Sequence, residues 1–235
     1  WRLLMTHFTE IDFIVRGEGE FTFLDLVQTI EKGDCQGIGK IKGLAFRQGD
    51  ELVDTGPAPR IKDLDQLPMP ARYFTYTHVA FTRGCPGNCT FCGSPLFWGH
   101  QVRAHSTGYF VDQLEMLYQK GVKQFYFSDD TFTFQADAVI AICRDIIQRK
   151  LDITWVAISR VNTIKEELLA WMRRAGCTQI SFGVESGSEA VRKRLNKRIT
   201  TEQIKKAFSL TQKYGIMARA YFIYGVPGET DETIQ

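Results

Sequence analysis

Three cysteines, Cys85, Cys89 and Cys92, stand in the run Cys85-Pro86-Gly87-Asn88-Cys89-Thr90-Phe91-Cys92, a CxxxCxxC spacing that lets one compact loop wrap a cubane. Three thiolates hold three corners of a four-iron, four-sulfur cluster and leave the fourth iron without a protein ligand, whereas a cluster kept for electron carriage has four cysteines. An open iron is a place to bind a substrate. Structural zinc wants four ligands and draws them from paired knuckles, so this spacing suits it less well. The other cysteines, Cys35, Cys143 and Cys177, are isolated in sequence. Cys143 shares a helical face with Val139, Ile140, Ile146 and Ile147, and Cys177 directly precedes an apolar strand pattern. Both read as buried small hydrophobes and not as disulfide partners.

The bulk of the chain allows a scaffold for such a loop. Its 235 residues, 44% hydrophobic and 24% charged, suffice for one sizeable globular domain and part of another. The 29 basic and 27 acidic side chains leave a net charge of +2, and with no basic stripe among them nucleic acid is not an expected partner. The densest basic run, Arg192-Lys193-Arg194 with Lys197-Arg198, reads as a solvated helix face. No run of 18 apolar residues and no signal-peptide pattern occurs, so no membrane span is expected. Free thiols point to a reducing, cytoplasmic setting. A start at Trp1 and a stop at Gln235, just after a helix start at Thr230-Asp231-Glu232, read as a fragment at both ends.

Three regions follow from the patterning. Residues 1–54 carry a strand at Ile11 to Val15, a turn through Gly17 and Gly19, a helix from Phe21 to Lys32, and a hairpin of Gly43 to Arg47 with Glu51 to Asp54. That is too little for an autonomous core and reads as the tail of an α/β domain. Residues 55–77, interrupted by Pro57, Pro59, Pro68 and Pro70, read as a linker. From 78 to 235 strand and helix alternate. The strands are Val79 to Thr82, Gln124 to Ser128, Ile153 to Ser159, Gln179 to Val184 and Ala218 to Tyr224. The helices are Tyr109 to Lys120, Ala136 to Arg149, Ile164 to Ala175, Ser188 to Leu195 and Thr201 to Tyr214. Gly121, Gly176 and Gly215 sit at helix stops, and Thr200-x-x-Gln203 and Ser186-x-x-Glu189 fit capping boxes. Short apolar strands of this kind predict a parallel sheet buried on both faces, in a partial (β/α) TIM-type barrel. Such a sheet gathers its chemistry at the carboxyl ends of the strands. There stand the cysteine loop, Asp129-Asp130, Ser159-Arg160, Glu185-Ser186 and Gly225 with Pro227-Gly228-Glu229. Five in consecutive units predict one shared pocket.

The cysteine loop at such a barrel's top resembles the signature of the radical S-adenosylmethionine superfamily. The resemblance implies that the open iron is chelated by S-adenosylmethionine and that a cluster potential toward about −700 mV drives cleavage of the sulfonium to methionine and a 5′-deoxyadenosyl radical. It places Phe91 near the adenine. Ser181-Phe182-Gly183-Val184-Glu185-Ser186-Gly187-Ser188 looks like the fourth-strand motif, with Glu185 on the amino group or ribose, although a helix-start carboxylate is the alternative. Lys197, on the following helix, resembles the basic residue aimed at the methionine carboxylate. Tyr221 to Glu229 looks like the fifth-strand segment along the adenine, where Gly225 permits close approach. Asp129-Asp130 stands where many members have Gly-Gly-Glu, and Ser128-Asp129-Asp130-x-Phe132 resembles the cobalamin-associated variant; either aspartate could take the amine. Arg160 could face the carboxylate or pair with Asp129 or Asp130.

Asp12 to Glu20, followed by a helix, the hairpin and Asp63 to Pro70, resembles the end of a cobalamin-binding domain joined to such a core. No Asp-x-His-x-x-Gly cobalt segment is present: His7 is preceded by Met5 and followed by Glu10 at the relevant positions. Cobalamin is therefore implied by the resemblance alone. The expected activity is radical chemistry on a small-molecule substrate, including methyl transfer or cyclisation, fed by an electron donor such as flavodoxin or ferredoxin. The resemblance is strongest from Phe81 to Glu229 and lacks the last strand of a six-unit core. Three readings compete. A methylthiotransferase would need three further upstream cysteines, and only Cys35 precedes Cys85. An electron carrier would need Cys143 or Cys177 at the cluster, and a zinc module would need His100 or His105.

Overall fold

A computed structural model describes residues 1–234, which divide into two compact units, 1–62 and 63–234. The division falls inside the proline-rich stretch.

The first unit holds a helix α1 (Arg2–His7), strand β1 (Phe13–Val15), helix α2 (Glu20–Glu31) and the strands β2 (Leu44–Gln48) and β3 (Glu51–Asp54). The three strands form one antiparallel sheet in the order β1-β2-β3, with Phe13 opposite Phe46 and Ala45 opposite Asp54. Its small core is Leu26, Leu44 and Phe46. The first strand is shorter than its apolar pattern and only half-buried, and α1 was not expected.

The second unit begins with β4 (His78–Val79), β5 (Thr82–Arg83), α3 (Ser94–Trp98) and β6 (Arg103–Ala104). It continues through α4 (Thr107–Gln119), β7 (Gln124–Phe127), α5 (Ala136–Gln148), β8 (Thr154–Ser159), α6 (Glu166–Arg174) and β9 (Cys177–Glu185). The last elements are α7 (Glu189–Arg194), α8 (Thr201–Lys213), β10 (Met217–Phe222) and α9 (Asp231–Ile234). Five strands form the parallel sheet β10-β9-β8-β7-β4. This is the expected half-barrel of β/α units.

Local chemistry explains the ends of the helices. Ser106 accepts from the Tyr109 N–H to start α4, and Thr200 with Gln203 forms the full capping box of α8. Gly121, Gly176 and Gly215 take positive φ just past α4, α6 and α8. At Gly176 the need is double, because a Cβ would also run into the Ile153 carbonyl. The second expected capping box does not form. Ser188, not Ser186, caps α7 by accepting from the Val191 N–H, and the Glu189 carboxylate accepts from the Thr201 N–H and hydroxyl.

Phe110, Leu114 and Leu117 of α4, Val139, Ile142 and Ile146 of α5 and Leu168 and Met172 of α6 recur at helical spacing and are fully buried. They pack on one face of the sheet, where Phe127 stacks on Trp155 with ring centroids 4.5 Å apart. Cys143 and Cys177 lie in this core, as expected. The other face is open: β8 alternates, with Trp155, Ala157 and Ser159 buried and Thr154 and Ile158 exposed, and Tyr126 and Tyr221 are exposed likewise. Burial on both faces, expected from apolar composition, is therefore corrected to burial on one. Period-two alternation is what a sheet with helices on a single face requires.

The strand expected over Val79 to Thr82 is also divided. Val79 pairs with Phe127 in the parallel sheet, but Thr82 and Arg83 leave it to pair antiparallel with Ala104 and Arg103. Between the two pieces the Phe81 and Thr82 N–H groups donate to the Asp129 carboxylate at 3.2 and 2.6 Å. A side chain replaces the neighbouring strand as hydrogen-bond partner, and the chain turns toward the cysteines.

Candidate functional site

One cleft of about 280 Å³ at the carboxyl ends of the strands is lined by Cys85, Cys89, Cys92, Phe91, Asp130, Arg160, Glu185 and Lys197. Eight of the ten residues singled out in the sequence thus share one space. Ile158, Gly183 and Tyr221 supply its floor from β8, β9 and β10. All three thiols are free. The Gly87 N–H donates to Cys85 Sγ at 3.4 Å, and Arg160 Nη1 to Cys89 Sγ at 3.7 Å.

The charges of the cleft are organised around Glu185 and Lys197. Both are buried, and Lys197 Nζ donates to Glu185 Oε1 at 2.6 Å. Lys197 Nζ also lies 5.9 Å from the centroid of the Phe91 ring. Glu185 ends β9 in a left-handed conformation, φ +68°, at a break of register between β9 and β10. Left-handed backbone at a bulky residue is disfavoured by sterics, and such strain concentrates where the surroundings aim a functional side chain. Asn196 and Arg198, on either side of Lys197, have φ of +51° and +52°. Lys197 lies in the loop after α7 and not on the helix where the resemblance put it.

That loop is stapled to the cysteine loop. The Thr90 N–H donates to the Leu195 carbonyl at 3.1 Å, Asn196 Nδ2 donates to the Asn88 carbonyl at 2.6 Å, and Arg160 Nη2 donates to the Lys197 carbonyl at 2.7 Å. Arg192 braces it from behind. This guanidinium is only 2% exposed and donates to the carbonyls of Ser186, Gly187 and Ile199 and to the Thr201 hydroxyl. The solvated basic face expected here is corrected accordingly: Arg192 and Lys197 are buried, and Lys193, Arg194 and Arg198 are exposed. A run of five cations carries no mark of which two turn inward, and only the fold separates them.

Two expected residues stand outside the cleft. Asp129 is fully buried, with its oxygens on the Phe81 and Thr82 N–H groups and the Thr82 hydroxyl. Burial pushes its carboxyl up to about 6 against those hydrogen bonds. Asp130 is the aspartate on the cleft, where it accepts from the Ser94 hydroxyl. Gly225 is exposed, and a Cβ there would meet nothing within 4 Å. Its requirement is a φ of +83°, set by the turn in which Glu229 accepts from the Gly225 and Val226 N–H groups, and not close approach. It adjoins a second cavity of about 620 Å³ that shares Glu185 with the first and runs over Ser186, Phe222, Tyr224 and Glu229.

Cys143, Cys177 and His105, three of the competing ligands, are placed elsewhere. Cys177 opens β9 while Glu185 closes it, roughly 25 Å away at strand rise, and burial pushes the Cys143 thiol up to about 12. His105 Nδ1 meets Asp65 at 3.0 Å and its ring stacks on Tyr109. Among the described residues no three His, Cys, Asp or Glu side chains converge on a single-ion site.

A half-barrel with three free thiols on its first βα loop defines a class, and comparison with known proteins gives that class its name. The sequence model of the Radical SAM superfamily matches residues 79–235, and the chain belongs to that superfamily, whose members bind a four-iron, four-sulfur cluster and S-adenosylmethionine. It is 37% identical to an uncharacterized methyltransferase of Pyrococcus horikoshii over 96% of this chain and 51% of the relative. It is 33% identical to the anaerobic magnesium-protoporphyrin IX monomethyl ester cyclase of Cereibacter sphaeroides over 96% of this chain and 40% of the relative. The chain thus spans about half the length, or less, of these curated relatives. The solved structure of the radical S-adenosylmethionine methyltransferase TsrM from Kitasatospora setae, with cobalamin and a [4Fe-4S] cluster bound, has the same fold. It matches with a TM-score of 0.81 at 19% identity, over 98% of this chain and 48% of that one. No helix among the described residues is long and apolar enough to cross a membrane.

Proposed function

We propose that this chain is the catalytic core of a radical S-adenosylmethionine enzyme in which Cys85, Cys89 and Cys92 hold the cluster and Glu185, Lys197 and Asp130 orient S-adenosylmethionine. The reading is carried by one observation: three free thiols from one loop line the same cleft as a buried carboxylate and a buried ammonium. The donor set fits a cluster, with soft sulfur ligands and N–H groups of Gly87 and Arg160 directed at two of them. When bound, the cluster supplies the low-potential electron that splits the sulfonium into methionine and a 5′-deoxyadenosyl radical.

The protein's own part is orientation. A zwitterion is held by opposite charges in a partly dry cleft, so Lys197 takes the carboxylate, and Glu185 or Asp130 takes the amine or ribose. Phe91 and the turn at Gly225 border the adenine. Ile158 and Tyr221, on the open face of the sheet, meet the substrate, a small molecule. The names of the curated relatives favour methyl transfer or cyclisation, and the cobalamin bound by TsrM favours cobalamin as a second cofactor; flavodoxin or ferredoxin as electron donor and a reducing cytoplasm follow from the family resemblance and the free thiols alone.

The test is anaerobic reconstitution, iron and zinc analysis, and electron spin resonance with and without S-adenosylmethionine. Expected are about four irons per chain, no zinc, and a reduced-cluster spectrum that changes when S-adenosylmethionine is added. A spectrum indifferent to the ligand, or zinc in place of iron, overturns the reading.

A further inference from the structure

Arg160 closes β8 and reaches two loops at once. Nη1 donates to Cys89 Sγ at 3.7 Å and Nη2 to the Lys197 carbonyl at 2.7 Å. The cysteine loop closes over it, since a Cβ on Gly87 would lie 3.1 Å from Nη1. Neither partner that the sequence offered within the protein is available: Asp129 is committed to the Phe81–Thr82 backbone, and Asp130 to Ser94. Among the described residues no carboxylate neutralises this guanidinium, whereas the other cation of the cleft, Lys197, is matched by Glu185.

We propose that Arg160 is a positioning residue that raises the reduction potential of the cluster by donating to the Cys89 sulfur, held in place by its second bond to the Lys197 carbonyl. The inference rests on the proposed cluster site. Cluster potentials depend on net charge and on hydrogen bonds to the sulfurs. A cation that donates to a ligating thiolate stabilises the more negative, reduced state over the oxidised one, so the added electron is easier to place.

The test is a redox titration followed by spin resonance on the full chain, with cluster reconstituted and no S-adenosylmethionine present. Wild type is compared with Arg160→Met, Arg160→Gln and Arg160→Lys. Asn196→Ala serves as a control that removes a loop staple and leaves the sulfur donor. Expected at wild-type iron content is a more negative midpoint in the Met and Gln variants, read as a fall of about tenfold in the reduced-to-oxidised ratio at the wild-type midpoint. Arg160→Lys falls between them and wild type, and Asn196→Ala titrates with wild type. An unchanged midpoint in Met and Gln overturns the inference, as does an equal shift in Asn196→Ala. If the Met variant loses iron, Gln and Lys decide by the same comparison, and loss of iron from Lys as well makes the role structural and overturns it. Since the titration contains no S-adenosylmethionine, a wild-type spectrum indifferent to that ligand sinks the proposed function and leaves this result readable.

Discussion

Glu185 and Lys197 share one short hydrogen bond inside a cleft, with each side chain less than a tenth exposed. Removing one partner of a buried pair strands the other charge away from water, at a cost on the order of 3 kcal/mol, whereas removing both leaves no charge to strand. Lys197→Met and Glu185→Gln should therefore each lower the urea midpoint strongly. The double variant should lose far less than the sum, and strict additivity would show that the pair is not coupled. Gly183 tests the same pair by shape. A Cβ there would collide with Glu185 Oε1 and come within 2.6 Å of Lys197 Nζ, so Gly183→Ala must push the two charges off their positions. Calorimetry should show S-adenosylhomocysteine binding the Ala variant about tenfold or more weakly, the equivalent of the lower end of an overpacking penalty. Equal affinity would mean that the pair does not shape the ligand's site.

At the scale of elements, the turn of the chain toward the cysteines depends on Asp129. Its carboxyl titrates near 6 in the folded chain against 3.8 for the free group, so the folded state holds the proton more tightly than the unfolded chain does. Its stabilising contribution is complete below about pH 4 and is lost as pH rises through 6, by on the order of 3 kcal/mol. Asp129→Asn removes that titration. The wild-type urea midpoint should fall more than the variant's between pH 5 and pH 7, and parallel profiles would contradict the assignment. This element also marks the limit of sequence reading. The helices and most strands were legible because apolar residues recur at periods of 3.6 and 2, and because Gly121, Gly176, Gly215 and Thr200 punctuate them. The break after Val79 was not, since the sheet is replaced there by a carboxylate 48 residues away. The five-residue α3 has too few residues for a period to show. Arg192 and Asp129 were illegible for a common reason: a buried polar side chain looks in sequence like a solvated one until its hydrogen-bond partners are known.

Over the whole molecule, the six cysteines fall into three environments, and thiol chemistry should separate them. Cys35 is exposed in the first unit; Cys85, Cys89 and Cys92 line the cleft; Cys143 and Cys177 are fully buried in the core of the second. The attacking species is the thiolate. Burial pushes Cys143 up to about 12 and Cys177 well above its usual range, so at pH 8 only about one Cys143 in ten thousand is ionised. Iodoacetamide on the metal-free chain, read by peptide mass spectrometry, should modify Cys35 first and the partly exposed Cys89 and Cys92 next. Cys143 and Cys177 should react only at the rate of global unfolding. Reconstitution with iron and sulfide should then protect Cys85, Cys89 and Cys92 together while Cys35 stays as reactive as before. The pattern discriminates because protection by a cluster is chemical and protection by the core is mechanical: under native conditions a chelator exposes the first set and leaves the second protected. If Cys92 stays reactive in the reconstituted protein, it is not a cluster ligand, and the three-thiolate site proposed for the CxxxCxxC loop fails.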